Sequence, residues 1–474
     1  MRSRRAHYCR ILAMGLAMGI SFAASATAGF DLNPWLVTTF VTDPYQEGQS
    51  LRATVPARVG APSSEDTLLS FDASVKFQEV EGYGAAITDS SLIAIGKLPP
   101  RKRAKLLEKL FHPKRGLNIN YLRIPIGATD FGVTSYTYLD LPPGQVDPQL
   151  KRFSFHRAHK LVRFLRRVKR INPNLRILLS PWSPPAWMKT SGQLNGGSLK
   201  PEYYGAFARY LLKSVRSFEA AGIPVDSITI QNEPFHSTEQ YPSMEMSSEE
   251  QISFIRDHLF PAFKAARVKT KILGLDHNYD LRSEGDAIYT ALGNKIAGIA
   301  YHCYGGTFDQ MQGSSAPLYQ TECSGGTWGD GPGTLHFWLQ TQVIGGGLLG
   351  NRLAMGWNLA LDQDHGPYFG YCGNCRGLVD IDTNTKNITF NPELIAMAHA
   401  GKFLGRGAYR IATAAPMDEG YSTIAYVNRD SSVLQVVENT GPAARTFVVA
   451  TPNGDFFRVS VPAGGAASIL IPAR

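Results

Sequence analysis

Residues 228–234 read Ile228-Thr229-Ile230-Gln231-Asn232-Glu233-Pro234. A short run of strand-forming residues is closed by a carboxylate and followed by a loop. The pattern recurs at Leu318-Tyr319-Gln320-Thr321-Glu322-Cys323. Working outward, similar runs lie at 82–87, 121–126, 176–181, 227–232, 271–276, 298–304, 317–322 and 353–358. Several are continuous apolar runs, as strands buried on both faces require. Helical periodicity falls between most of them, at 100–111, 155–171, 201–221, 248–266 and 335–344, with Pro100 and Pro201 placed where a helix begins. Eight βα units in about 280 residues predict a (β/α)₈ barrel. A doubly wound open sheet is the alternative, but no Gly-rich phosphate loop follows the first strand.

The flanks read differently. From about 404 to 474, short alternating runs separated by Gly, Pro, Asn and Asp predict a small antiparallel β-sandwich. Residues 29–79 are also strand-like but hold too little apolar material to stand alone, so they are expected to join that sandwich, leaving 80–403 for the barrel. Residues 1–28 begin with Arg2, Arg4, Arg5 and Arg10, continue through an apolar Ile11–Ala24 and end in Ala26-Thr27-Ala28, the pattern of a signal peptide. The expectation is an exported protein, periplasmic or secreted, with no other membrane segment. The chain carries a formal net charge of +9, of which the signal segment contributes four charges. That mild balance does not call for nucleic acid. The cations around Lys160–Arg170 alternate with apolar residues as on an amphipathic helix with a solvated basic face. Four cysteines follow the signal segment. Cys372 and Cys375 sit in a Gly-rich loop and predict a loop disulfide, since zinc would need a second pair. Cys303 and Cys323 flank adjacent strand ends, where alternation points both away from the barrel interior and makes them possible neighbours; two separate buried thiols are the first reading and a pair the second.

In a barrel, functional residues gather at the C-terminal ends of the strands. Glu233 closes the fourth strand and Glu322 the seventh. Two carboxylates facing one site are what cleavage of a glycosidic bond requires: one protonates the leaving oxygen, and the other attacks the sugar or activates water. A gap of about 5 Å would mean retention of configuration, and about 6.5–9.5 Å inversion. Other strand ends supply Asp130, Trp182, Asn232, His302, Tyr304, Trp357 and Asn358. Tryptophan covers the flat apolar face of a sugar, while Asp and Asn bind its hydroxyls. Arg123 is expected to position one carboxylate. The competing reading, a structural ion pair inside the barrel, needs only the glutamates and Arg123.

The motifs Gly82-Tyr83-Gly84-Ala85-Ala86-Ile87-Thr88-Asp89-Ser90, Leu122-Arg123-Ile124-Pro125, Thr129-Asp130-Phe131, Ser180-Pro181-Trp182-Ser183-Pro184-Pro185-Ala186-Trp187-Met188-Lys189, Gln231-Asn232-Glu233-Pro234, Thr321-Glu322 and Trp357-Asn358-Leu359-Ala360-Leu361-Asp362 together resemble glycoside hydrolase family 30. This is the family of glucosylceramidases and related β-glycanases. The resemblance implies a barrel with a side sandwich, Glu233 as acid/base and Glu322 as nucleophile. It also implies a glycone site lined by Asp130, Trp182, Asn232, Tyr241, Tyr304 and Trp357, and no metal or cofactor. On this reading the Glu233 pKa is raised, while a hydrogen bond from Tyr304 lowers that of Glu322. The loop 363–376, with its CxxC, departs from the lysosomal-type pattern and is expected to border the leaving-group side.

The partner expected is a β-glucoside, glycolipid or glucan. A retaining β-glycosidase of glucosylceramidase type is the first reading and an endo-β-1,6-glucanase on the same scaffold the second. Tyr368, Phe369 and Tyr371 suit either a lipid or a glucan chain. A carbohydrate-binding barrel without catalysis, and a surface protein whose basic helices bind acidic polymers, are the readings from other classes. In the last case, salt would weaken binding.

Overall fold

The continuous apolar runs become strands because both of their faces are covered. The computed structural model describes residues 36–473 except 49, 371, 415 and 416, so the segment read as a signal peptide lies outside the described residues. The strands are β1 (Gly82–Ala86), β2 (Tyr121–Ile126), β3 (Arg176–Pro181), β4 (Ser227–Thr229), β5 (Lys271–Asn278), β6 (Gly298–His302), β7 (Leu318–Glu322) and β8 (Asn351–Asn358). Each pairs in parallel with the next, and β8 closes onto β1. Close approach of β1 to β2 requires Gly84, where a Cβ would sit 1.7 Å from the Tyr121 carbonyl oxygen. Tyr121, Leu178, Leu273, Ala300, Tyr319, Leu353 and Met355 fill the interior. Glu81 accepts ion pairs from Arg176 (2.9 Å) and Lys271 (2.7 Å), and Arg176 also reaches Asp226 (2.8 Å). These charges ring the N-terminal end of the strands.

Helices α1 (Asp89–Gly96), α2 (Pro100–Phe111) and α3 (His159–Ile171) cover the first strands. Their apolar stripes face inward: Leu106, Leu107, Leu110 and Phe111 from α2, and Val162, Leu165 and Val168 from α3. The structure also departs from the sequence reading in detail. The fourth strand ends at Thr229 rather than Asn232, because the chain turns into the rim there. A helix at Arg282–Leu292 was not expected. It buries only Gly285, Ile288 and Leu292, so its apolar period is faint. No helix among the described residues is long and apolar enough to cross a membrane.

The second layer is a sandwich. One sheet runs in the order Arg52–Thr54, Thr38–Thr42, Ala466–Ile471, Val433–Asn439, Tyr421–Val427, Ala408–Thr413, Phe71–Val80, and Met417–Asp418 pairs beside Tyr421–Val427. The other holds Ala57–Val59, Phe456–Val461, Arg445–Ala450 and Thr67–Leu69. Strands from before the barrel are thus woven into the C-terminal segment. Helix Pro392–Gly401 joins the two layers. His399 contacts Ser468 through Nδ1 (2.7 Å) and Thr42 through Nε2 (2.8 Å), both in the larger sheet.

Both cysteine pairs are disulfides. The Cys372–Cys375 bond agrees with the sequence reading. Cys303–Cys323 corrects it: the ends of β6 and β7 place these Cα atoms 5.2 Å apart, within bonding reach.

Candidate active site

Irregular strand ends aim the side chains. Pairing of β5 with β6 shifts register between Leu275 and His277, and that of β6 with β7 shifts between Tyr301 and His302. Such bulges turn a side chain out of the regular alternation. Glu233 (φ +45°) and Asp276 (φ +64°) are left-handed, a costly conformation for residues other than glycine that is often found at functional sites. Backbone bonds hold the rim in place, with Asn232 N–H donating to Pro181 (2.8 Å) and Glu233 N–H to Asp276 (3.0 Å).

The result brings Glu233, His302 and Glu322 together, with one oxygen or nitrogen of each within 4.8 Å of the others. That separation of the two carboxylates matches the short retaining spacing, not the long inverting one. Buried Arg123 donates to Glu322, to Asn232 Oδ1 (2.8 Å) and to Asp276 Oδ2 (2.8 Å). Tyr304 Oη donates to Glu322 Oε1 at 2.9 Å. His302 bridges Glu233 (Nδ1, 3.1 Å) and Asp276 (Nε2, 3.1 Å). The cluster's donors are therefore already committed to one another, and a buried guanidinium beside Glu322 is a poor neighbour for a metal cation.

Asp276 is the residue the sequence reading passed over. It is buried and also accepts from Ser180 (3.0 Å), Thr229 (2.6 Å) and Thr321 (2.7 Å). Its only sequence signal is its place at the end of β5. Against the penalty of burial, Arg123 and His302 hold its carboxyl far below the usual range. Against the same penalty, Glu322, Asp276 and Glu233 raise the His302 imidazole to about 9.

These charges reverse the expected pKa order of the two glutamates. Burial pushes Glu322 up, and the negative charge of Glu233 adds to it, against Arg123, His302 and the Tyr304 hydrogen bond. Glu233 is also penalised by burial, but the hydrogen bond and charge of His302 hold it below the ordinary value. The expectation that Glu233 is raised is thus corrected, because the hydrogen bond and charge of His302 outweigh its burial. Asp130 is raised well above a normal aspartate by burial and by Glu322 and Glu233. Its buried Oδ1 meets no hydrogen-bond partner among the described residues.

An aromatic wall completes the site. Trp182 and Trp357 stack 5.1 Å apart at 18°, with the Arg123 guanidinium 4.7 Å from the Trp182 ring. Ala86, Phe131, Tyr241, Leu361 and Cys375 pack with them, and Cys372 and Phe369 lie against the same cluster. The CxxC disulfide thus backs the wall holding Trp182, Tyr241 and Trp357. Gly325–Gly326, just after Glu322, pair with Cys375–Arg376. A Cβ on Gly326 would strike the Trp328 ring at 1.9 Å. Trp328 is 59% exposed, and Tyr304, Phe235 and Tyr368 are exposed too. Asn358 accepts from Thr88 Oγ1 (2.6 Å), the N-cap of α1. Tyr371 lies outside the described residues.

The profile of the glycosyl hydrolase family 30 TIM-barrel domain matches residues 80–321, and that of the family 30 β-sandwich domain matches 407–469. The chain belongs to glycoside hydrolase family 30. It is a glycosidase by that membership. An endo-1,6-β-D-glucanase of Trichoderma harzianum is 31% identical over 87% of this chain and 89% of its own length. The lysosomal acid glucosylceramidase of Mus musculus is 26% identical over 88% and 86%. Among solved structures, an endo-β1,6-glucanase superposes with a TM-score of 0.85 at 29% identity, covering 92% of this chain and 99% of its own.

Proposed function

We propose that this protein is a retaining endo-β-1,6-glucanase in which Glu322 is the nucleophile and Glu233 the acid/base. The observation that carries the substrate assignment is the match to endo-1,6-β-glucanases, at 30–32% identity over 80% or more of this chain. Glucosylceramidases are more distant, at 26–27%. This reading moves the glucan ahead of the glycolipid as substrate. The exposed Trp328, Tyr304, Phe235 and Tyr368 suit a chain of sugars that continues past the reacting unit.

The chemistry follows from the contacts. Glu322, oriented by Arg123 and Tyr304, attacks the anomeric carbon, and the bond to the leaving oxygen breaks. His302 Nδ1 passes its proton to Glu233, which delivers it to that oxygen, so the pair acts as a single acid and Glu233 is left ionised. Once Glu322 is a neutral ester, ionised Glu233 takes a proton from water as the water oxygen bonds to the anomeric carbon; the ester bond breaks, Glu322 is restored as a carboxylate, and the proton passes back to His302. Asn232, held by Arg123, presents its amide to the sugar 2-hydroxyl. Asp130 and the Trp182–Trp357 pair bind the remaining hydroxyls and the apolar sugar face.

The test is to incubate the purified enzyme with a linear β-1,6-glucan and, in parallel, with glucosylceramide in detergent. The proposal expects short oligosaccharides early in the glucan digest and far slower release of ceramide. Glucosylceramide turned over faster than the glucan would overturn the substrate assignment.

A further inference from the structure

The basic character of this chain is not spread over its surface. Residues 100–115 and 156–171 hold fourteen lysines and arginines against a single acid, Glu108. Outside these segments and the first 28 residues, the chain has 30 cations and 38 acids. The protein is therefore an acidic body with one strongly cationic face, built from α2, α3 and their adjoining turns. Their apolar stripes are spent on the barrel, so the cations are left outward. Arg101, Lys105, Lys114, Arg115, Arg163 and Arg170 are all exposed.

This face is recessed. Between the two helices runs a groove of about 400 Å³ walled by Glu108, His112, Arg115, Arg167 and Arg170. Among the described residues, Arg163, Arg167, Lys169 and Arg170 form no ion pair, and the only ion pair of Arg115 is the long one to Glu108 at 3.5 Å. Holding so many like charges together without counter-ions opposes folding, so the cluster is costly unless an anion offsets it. Helices in a βα barrel run antiparallel to the strands. The groove, at the C-terminal turns of α2 and α3, thus lies at the opposite end from the rim that carries Glu233 and Glu322.

We propose that the α2–α3 groove is a binding site for an acidic polysaccharide chain, separate from the active site. Eight of the fourteen cations are arginines, whose planar fork suits carboxylate and sulfate groups. A recess between helices accepts a single flexible chain, whereas a duplex is read by an element that protrudes into its groove. Neither segment carries a large exposed apolar residue, which leaves nothing to insert into a lipid bilayer and no aromatic platform for stacking bases. Such a site would hold the enzyme on a charged matrix while the other end of the barrel works on a neutral glucan.

The experiment measures binding of the chain without its first 28 residues to heparin and to polygalacturonate, over a range of salt concentrations. It compares the wild type with R115Q/R167Q/R170Q. A second triple variant, K264Q/R267Q/K269Q, removes three exposed cations on another face. The proposal expects saturable binding that weakens steeply with salt, and a loss of about tenfold or more in affinity for the groove variant only. Hydrolysis of a neutral aryl β-glucoside should be unchanged in both variants, which also certifies that they fold. Equal losses in the two variants would reduce the effect to net charge and overturn the site. So would unaltered binding in the groove variant, or tighter binding to phosphatidylglycerol vesicles or duplex DNA than to either polysaccharide.

Discussion

Glu322 and Glu233 have unequal neighbours, and their different expected behaviours follow. Glu322→Gln keeps the shape but cannot form the ester, so turnover of an aryl β-glucoside should fall by about 10⁴-fold or more. Undiminished turnover would exclude it as the nucleophile. Glu233→Ala should cost about 10²–10⁴-fold on a glycoside with a poor leaving group and much less on one that departs without a proton. Equal losses would argue against an acid role. The pH profile depends on His302. Glu322 is raised by burial, so kcat/KM should climb with pH as it ionises, at a point above the ordinary glutamate range. The proton shared by His302 and Glu233 leaves as pH passes about 9, and the rate should fall there. His302→Gln removes the main group that depresses Glu233, so burial raises that carboxyl, and the basic limb, no longer set by His302, should move to lower pH. An unmoved limb would show that His302 takes no part in holding the proton.

The elements that carry these residues make their own predictions. His399 ties helix Pro392–Gly401 to strands Thr38–Thr42 and Ala466–Ile471, and burial lowers its pKa to about 3. A base depressed in the fold binds its proton more readily when unfolded, so stability should decline as pH drops below about 6.5. By pH 5 the loss should reach about 2 kcal/mol. Urea unfolding at both pH values would measure it, and His399→Gln should flatten the difference; an identical slope would refute the assignment. The loop disulfide backs the Trp182–Trp357 wall. Replacing Cys372 and Cys375 with serine should therefore raise KM several-fold more than it lowers kcat, and unchanged steady-state constants would mean the loop holds without it. Much of this scale was legible in the sequence. Six of the eight barrel strands are buried along their whole length, and that burial is what made them continuous apolar runs. Asp276 was not legible as a hub, because its meaning lies in partners on β2, β3, β4, β6 and β7, brought to it only by barrel closure. The pKa order of the glutamates escaped for the same reason, since it depends on the charge of His302 between two other strands.

At the scale of the whole molecule, the barrel supplies a rigid rim, and the sandwich, assembled from both ends of the chain, braces it from outside. The separation of the carboxylates is therefore a property of the closed barrel rather than of either loop, and it determines the stereochemical course. The most direct measurement is proton NMR of the first reducing ends released from a β-1,6-glucan, recorded before mutarotation equilibrates them. The account predicts that the β-anomer appears first and the α-anomer follows. Initial release of the α-anomer would mean a single displacement by water, and would contradict the assignment of Glu322 as nucleophile and the two-step mechanism with it.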